Sequence, residues 1–232
     1  MRILIGIFCL AAVCLIRADD NGHCYTSVSG VCGSVTAKKV AFNCNAKYAG
    51  VEKVMNHLQS YAQTHISQSF QYLLMSAYFG NYEVNREGFS KLYRKLSDST
   101  WENSIKLIKY MGHRGDKMNF DAPLDANYTQ FQLSESAYNL HELSSLGISL
   151  DMEKVLAEKA DRIHADTSKH SPEYHDAETI NFLEKEFIHE HSENIRELSG
   201  HANDVQRLIK GGLSDPSLAI YLFDEYLQKK LA

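Results

Sequence analysis

The sequence predicts an all-α protein, a four-helix bundle followed by a short fifth helix. Apolar residues recur every three or four positions through four long segments, and this spacing places them on one face of a helix. Between the second and third segments lies a long stretch without that period, as expected where a bundle chain crosses from one end to the other. With 232 residues, 44% of them hydrophobic, the chain can bury one sizeable core.

The first two predicted helices carry polar residues on their inward faces. The first begins within residues 46–48 and ends at Phe79, before a glycine that favours a helix terminus. The second spans Asn85 to His113, and the short gap makes the two helices antiparallel neighbours. A polar cluster at the middle of a bundle indicates a metal site or the remnant of one. Its members on these helices are His65, Tyr72, Thr100 and Asn103.

The remaining helices follow the long crossover of residues 115–132. The third helix spans residues 136–165, where Glu153 interrupts the apolar stripe; alternatively, Glu153 lies at the edge of the stripe and reaches solvent. The fourth runs from Asp176 to Ile209. A fifth helix follows Asp215-Pro216, an acidic cap and a proline suited to a first helical position. It is short and apolar nearly all round, which indicates burial against other subunits.

Three segments, SFQYLLMSAYF, GFSKLY and IYLFDEYL, together resemble ferritin, and the resemblance covers about residues 47–232. It implies a ferritin-like four-helix bundle with one long crossover loop and a fifth helix at a four-fold axis of a shell. Ferritin bundles house a di-iron ferroxidase site of carboxylates and a Glu-x-x-His pair. With the leader described below, the chain resembles a secreted insect ferritin subunit of the light-chain type.

The resemblance implies that the ferroxidase positions are degenerate in this chain. His65 stands where the family has the first-helix glutamate. Thr100 and Asn103 stand where the family has the Glu and the His of the pair. Two irons need carboxylates to bridge them and balance their charge. The resemblance therefore implies a catalytically silent subunit, which is not an enzyme.

The other site positions are less altered. Tyr72 matches the family's site tyrosine, and Glu153 matches the third-helix glutamate. His191 stands where a fourth-helix glutamine is expected. A buried unpaired carboxylate is costly, so we expect Glu153 to pair with Tyr72, His65 or His191. The cluster is then a hydrogen-bonded core patch, and the alternative is a weak site for one metal ion.

Carboxylates outside the bundle centre form a second group of candidates. Light-type ferritin chains help mineral to nucleate with carboxylates on the inner surface of the shell. Asp98 and Glu102 lie one helical turn apart, so both can face one ion. Glu184 resembles the family's three-fold channel glutamate, while Asn181 stands at the neighbouring aspartate position. An ordinary solvated helix face is the alternative for Asp98 and Glu102.

The N-terminus predicts export. Residues 1–18 read as a signal peptide, with Arg2 before an apolar run that extends to Ile16. The run is short for an uncleaved membrane anchor, which is the alternative. Residues 19–46 form an arm before the helical domain of residues 47–232. The predicted location is therefore the secretory pathway and the exterior, where disulfides persist.

The arm holds all the cysteines of the mature chain, Cys24, Cys32 and Cys44. Because three is odd, one intrachain bridge leaves one thiol, which either joins a partner chain or stays free. Which two cysteines pair is not fixed by the sequence. The sequon Asn127-Tyr128-Thr129 lies in the crossover, so Asn127 is a candidate for glycosylation.

Charge narrows the functional classes. Loss of the leader removes two of the 24 basic residues and none of the 29 acidic ones, which leaves a formal charge of −7. That charge disfavours nucleic acid and anionic membranes as partners.

We expect this chain to be the structural, non-ferroxidase subunit of a secreted shell that stores and transports iron as a ferric mineral. In that shell it is co-assembled with a heavy-type ferritin subunit. The alternative is a secreted four-helix signalling protein of the cytokine type.

Overall fold

The structure is a computed structural model that describes residues 45–120, 141–171, 173–211 and 216–231. Every element in these ranges is helical, and the four-helix bundle with a short fifth helix is confirmed. Most of the predicted crossover lies outside the described residues. The elements are α1 (Val51–Phe79), α2 (Glu87–His113), α3 (Glu142–Thr167), α4 (Ala177–Leu183), a π-helical segment (Glu184–Ile188), α5 (His189–Lys210) and α6 (Pro216–Lys230).

The bundle is built from two helix pairs. α1 packs along α2, and α3 packs along the fourth bundle helix, which α4, the π-helical segment and α5 form without interruption. Two apolar clusters fill the interior, one around Tyr61 and Phe187 and the other around Tyr72 and Phe89. Between them lies a layer of buried polar side chains, which we call the polar layer. Its members are His65, Gln68, Thr100, Asn103, Glu153 and His191.

Three helices begin later than the sequence predicts. Ala49 has φ 54° and Asn85 has φ 49°, so neither residue continues a right-handed helix, and α1 and α2 start only at Val51 and Glu87. α3 begins at Glu142, after the extended His141, and residues 136–140 of its predicted span lie outside the described residues. The predicted start of α1 is three to five residues early and that of α2 is two residues early. Left-handed Ala and Asn residues leave no trace in hydrophobic periodicity, which explains these two differences.

An acidic cap opens the fourth bundle helix where the sequence places its start. Oδ1 of Asp176 accepts hydrogen bonds from the backbone N–H groups of Glu178 (3.1 Å) and Thr179 (2.9 Å). The other oxygen of the same carboxylate, Oδ2, accepts a hydrogen bond from Nη2 of Arg114 at 2.6 Å. Arg114 is only 4% exposed and also donates to the carbonyl of Tyr48 at 3.1 Å. It therefore ties the end of α2 to the starts of α1 and α4.

The short helix α6, which is the predicted fifth helix of the fold, packs on the bundle through one face and exposes the other. Phe223 and Leu227 are buried against α2 and α5. Asp224 is also buried, and its Oδ1 accepts the backbone N–H of Phe89 at 3.0 Å. About half the surface of each outward-facing apolar side chain is exposed, and these are Leu218, Tyr221, Leu222 and Tyr226. Within the described ranges, no helix has the length and apolarity needed to cross a membrane.

Candidate functional site

Glu153 on α3 is the buried acid of the polar layer, with 1% of its surface exposed. It does not reach solvent, because its carboxylate is turned into the bundle. Oε1 accepts the hydroxyl of Tyr72 at 3.2 Å, and Oε2 lies 3.1 Å from Nδ1 of His191. Nδ2 of Asn194 lies 3.5 Å from the same Oε2. Both carboxylate oxygens are thus satisfied by protein donors.

His191 links Glu153 to a residue that the sequence analysis passed over. Its Nε2 lies 2.7 Å from the hydroxyl of Tyr61 on α1. Since a carboxylate only accepts hydrogen bonds, Nδ1 of His191 donates to Glu153; in the neutral tautomer that this donation selects, Nε2 is the acceptor for the Tyr61 hydroxyl. Both nitrogens of His191 are therefore engaged inside the protein. The position of Tyr61, one turn before His65 on α1, was the available signal.

His65 is fully buried and has no hydrogen-bond partner at either ring nitrogen. Its ring stacks on His191 at a centroid distance of 5.6 Å and meets the edge of Tyr61 at 4.5 Å. Burial lowers the pKa of His65 well below 6.5, and the positive charges of Lys106 and Lys159 lower that pKa further. His65 is therefore neutral in the folded protein, and Glu153 does not pair with it.

Two further side chains of α1 form hydrogen bonds to α3: Gln68 of the polar layer and Tyr72 of the adjoining apolar cluster. Burial raises the pKa of Tyr72 well above 10.0, and the adjacent Glu153 carboxylate raises that pKa further, so Tyr72 stays protonated and donates. Nε2 of Gln68 donates to the carbonyl of Met152 at 3.2 Å, while its Oε1 has no hydrogen-bond partner. Gln68 and His65 are thus the polar-layer residues that retain unsatisfied buried atoms.

The α2 side of the layer faces a different acid. Thr100 and Asn103 are buried, and Nδ2 of Asn103 donates to Oε2 of Glu190 at 3.2 Å. Ser99 donates to Oε1 of the same carboxylate at 2.5 Å. Four of the six predicted site positions therefore fall into two networks. Tyr72, Glu153 and His191 share one, Asn103 bonds Glu190 in the other, and His65 is hydrogen-bonded to neither.

The donor set can be compared with what iron requires. Among the described residues, no three His, Cys, Asp or Glu side chains are grouped so that they could hold a metal ion. Two irons need several carboxylates to bridge them and balance their charge. The polar layer contributes Glu153, whose oxygens are already engaged, with the half-buried Glu190 at its edge. Both oxygens of Glu153 are therefore held by protein hydrogen bonds in this arrangement.

The other candidate carboxylates lie on the surface. Oδ2 of Asp98 accepts a hydrogen bond from Nε of Arg94 at 3.0 Å, so Asp98 forms an ion pair with Arg94. Glu102 is exposed one turn further along α2. Oε1 of Glu184, in the π-helical segment, lies 2.9 Å from Nε2 of His164. The predicted signal peptide, the cysteines Cys24, Cys32 and Cys44, and Asn127 lie outside the described residues.

Comparison with known proteins identifies the family. Residues 55–208 match the ferritin family, by its description a ferritin-like domain. The chain is 42% identical over 234 residues to the ferritin light chain of Trichoplusia ni, covering 98% of each protein. It is 37% identical over 222 residues to the ferritin light chain of Drosophila melanogaster, covering 96% of this chain and 95% of that one.

A solved structure shows the same fold. The crystal structure of Trichoplusia ni secreted ferritin matches with a TM-score of 0.80 and 43% sequence identity, over 90% of this chain and 99% of that one. The cytokine alternative is not supported by these comparisons. The helical fold is accordingly that of an iron-storage protein, and the chain belongs to the ferritin family.

Proposed function

We propose that this chain is the structural, non-ferroxidase subunit of a secreted ferritin shell. In the shell it supports a ferric mineral, while a heavy-type subunit oxidises Fe(II). One observation carries the proposal: Glu153, the carboxylate at the family's third-helix site position, is held by Tyr72 and His191. A buried carboxylate satisfied by three protein donors needs no metal to be stable.

Charge supports the same conclusion. Two ferrous ions bring four positive charges, and Glu153 supplies one negative charge at the centre of the layer. His65 stays neutral because burial lowers its pKa. Thr100 and Asn103 are neutral at any physiological pH, and the carboxylate near Asn103 already receives two protein donors. Bringing two uncompensated cations into this interior is unfavourable.

The rate of iron oxidation tests the proposal. Shells of this chain alone, given Fe(II) in oxygenated buffer at a low iron-to-shell ratio, should oxidise it no faster than a mineral surface does. At that ratio a specific site dominates over mineral growth. A fast, saturable phase in the unmodified shell that disappears in Glu153→Ala would overturn the proposal and assign the chain to the catalytic class.

We further propose that the exposed acids act on the mineral, with Asp98 and Glu102 at a nucleation patch and Glu184 at a channel. Arg94 offsets part of the charge of Asp98. The double variant Asp98→Asn/Glu102→Gln should slow mineral growth at high iron loading in shells of normal size. Glu158→Gln is the matched control, since Glu158 is an exposed acid that pairs with an arginine one turn away on α3. Equal growth in all three shells would refute the patch.

Export and partnership complete the proposal. The signal peptide would end near residue 18, the arm would occupy residues 19–46, and the ferritin body residues 47–232. One of Cys24, Cys32 and Cys44 would join the heavy-type subunit, because three cysteines cannot all pair within one chain. Non-reducing electrophoresis of the native particle should show a heterodimer that separates on reduction. Monomers alone, each with one alkylatable thiol, would contradict that bridge.

A further inference from the structure

A continuous chain of hydrogen bonds crosses the bundle from one tyrosine to another. The hydroxyl of Tyr61 lies 2.7 Å from Nε2 of His191, Nδ1 of His191 lies 3.1 Å from Oε2 of Glu153, and Oε1 of Glu153 accepts Tyr72 at 3.2 Å. All four side chains are buried. Storing iron requires none of these contacts in particular, since an apolar core would support the shell as well.

The two tyrosines differ in the group that could accept their protons. Tyr72 donates to the Glu153 carboxylate and lies 3.2 Å from the carbonyl oxygen of Ser149. Tyr61 faces an imidazole, which holds a proton more strongly than a carboxylate or a carbonyl does. A phenol that loses an electron becomes a strong acid, so a buried phenol is readily oxidised only when a base is in hydrogen-bond contact. Both tyrosines have such a contact, but Tyr61 has the stronger base and the shorter hydrogen bond, 2.7 Å against 3.2 Å.

We propose that Tyr61 is a redox-active side chain, oxidised by one electron as its phenolic proton passes to Nε2 of His191. The oxidant is of the hydroxyl-radical class, formed when Fe(II) reduces hydrogen peroxide, and it is reduced by the electron that it takes. The O–H bond of Tyr61 breaks and an N–H bond forms on His191. Tyr61 becomes a neutral phenoxyl radical, and the imidazolium of His191 is paired with Glu153.

Tyr61 is regenerated by the iron that the shell stores, so the biological role of this reaction rests on the proposed function. An Fe(II) ion returns one electron to the Tyr61 radical and becomes Fe(III), while the proton returns from His191 to the phenol oxygen. The net result is that a stray oxidant consumes an electron from Fe(II) rather than damaging the shell. His65, with neither ring nitrogen hydrogen-bonded, takes no part in the proton transfer.

The test uses assembled, iron-free shells, so that its outcome is independent of ferroxidase activity. A photo-oxidised ruthenium tris-bipyridyl complex supplies the oxidising equivalent, and samples frozen after the flash are examined by electron paramagnetic resonance. Exposed tyrosines such as Tyr82 also react, but their radicals couple and decay first. We expect a long-lived tyrosyl signal that is lost in Tyr61→Phe and in His191→Gln.

Tyr72→Phe is the matched control, because it removes one hydroxyl from the other end of the same carboxylate. It should retain the long-lived signal. Retention of that signal in Tyr61→Phe, or its loss in Tyr72→Phe, would overturn the proposal. The unmodified shell gives a measurement independent of any variant: in deuterated water the radical should show coupling to a hydrogen-bonded deuteron, and absence of that coupling would also overturn it. Either failure leaves the proposed storage function intact.

Discussion

Nδ1 of His191 lies 3.1 Å from Oε2 of Glu153, although 38 residues separate the two in sequence. The contact joins α5 to α3 at the middle of the bundle, and both side chains are buried. It occupies one oxygen of the Glu153 carboxylate. His191 therefore does more than replace another side chain, because it supplies the donor that makes Glu153 stable without an ion.

Restoring the family's ligand residues should create Fe(II) oxidation activity only when several are restored together. The triple variant His65→Glu, Thr100→Glu and Asn103→His should show a fast phase of Fe(II) oxidation, while each single change should show none, because two irons are not held until most ligands are present. Stopped-flow absorbance at low iron loading measures this phase.

The structure adds a fourth change to that series. His191→Gln in the triple-variant background should enlarge the fast phase, since it removes the imidazole hydrogen-bonded to Oε2 of Glu153. The control is His191→Gln alone, which should stay inactive. A quadruple variant no faster than the triple would show that the His191 contact does not restrict Glu153.

The docking of α6 on α2 depends on a glycine. A Cβ added to Gly88 would lie 2.2 Å from the carbonyl oxygen of Asp224, whereas one added to Gly112 meets nothing within 4 Å. Gly88→Ala should destabilise the fold by about 1–3 kcal/mol or more. Gly112→Ala, on the same helix, should be neutral or stabilising by up to about 1 kcal/mol. Thermal unfolding compares them, and equal melting temperatures would refute the close approach.

Arg114 should be among the most sensitive charged residues. It is 4% exposed and bonds both Asp176 and Glu178, so Arg114→Met leaves the buried Asp176 carboxylate without its cation. The expected loss is about 3–5 kcal/mol of unfolding free energy. Arg94→Met breaks an exposed pair with Asp98 and should cost less than about 1 kcal/mol. Urea titration distinguishes them, and similar losses would contradict the buried network.

The stability of the shell should fall in mild acid because of two buried histidines. Burial lowers the pKa of His65 and of His201, and Lys230 lowers that of His201 further. Below about pH 6.5 the unfolded chain binds protons that the folded chain does not. The free energy of unfolding therefore keeps its whole value above that pH and decreases as the pH is lowered further. Each group contributes up to about 1.4 kcal/mol per pH unit.

Replacing His65 should flatten that dependence. His65→Leu removes one titrating group and also removes two buried nitrogens that have no hydrogen-bond partner. We expect a smaller loss of stability between about pH 6.5 and about pH 5, and little loss at neutral pH. Denaturant unfolding at several pH values measures both. Ser69→Ala is a buried control that does not titrate, and a slope unchanged in His65→Leu would exclude His65 as a source.

Hydrophobic periodicity predicted the fold and the inward direction of the polar layer, because burial repeats with the helix turn. Periodicity could not choose the partners of Glu153, since Tyr72, His65 and His191 all face the interior of the bundle. That choice depends on how far the fourth bundle helix is rotated. Tyr61 was missed because apolar neighbours fill the stripe on either side of it.

Long-range polar contacts were also beyond the sequence. Arg114 directly follows the end of the second helix, yet it meets Asp176, which lies 62 residues away. Asp224 lies within the apolar fifth helix, yet it accepts the backbone N–H of Phe89. Such pairs depend on which helix ends meet in space, and no local pattern in either segment encodes that.

The π-helical segment Glu184–Ile188 bears on how this chain is aligned with its relatives. Leu183 and His191 are both buried although they are eight positions apart. In a regular α-helix that spacing would turn them about 80° from one another, whereas seven positions would leave them within about 20°. The wide turn therefore accommodates one extra residue. A relative with a regular fourth helix should be one residue shorter there, and its alignment gap belongs within residues 184–188.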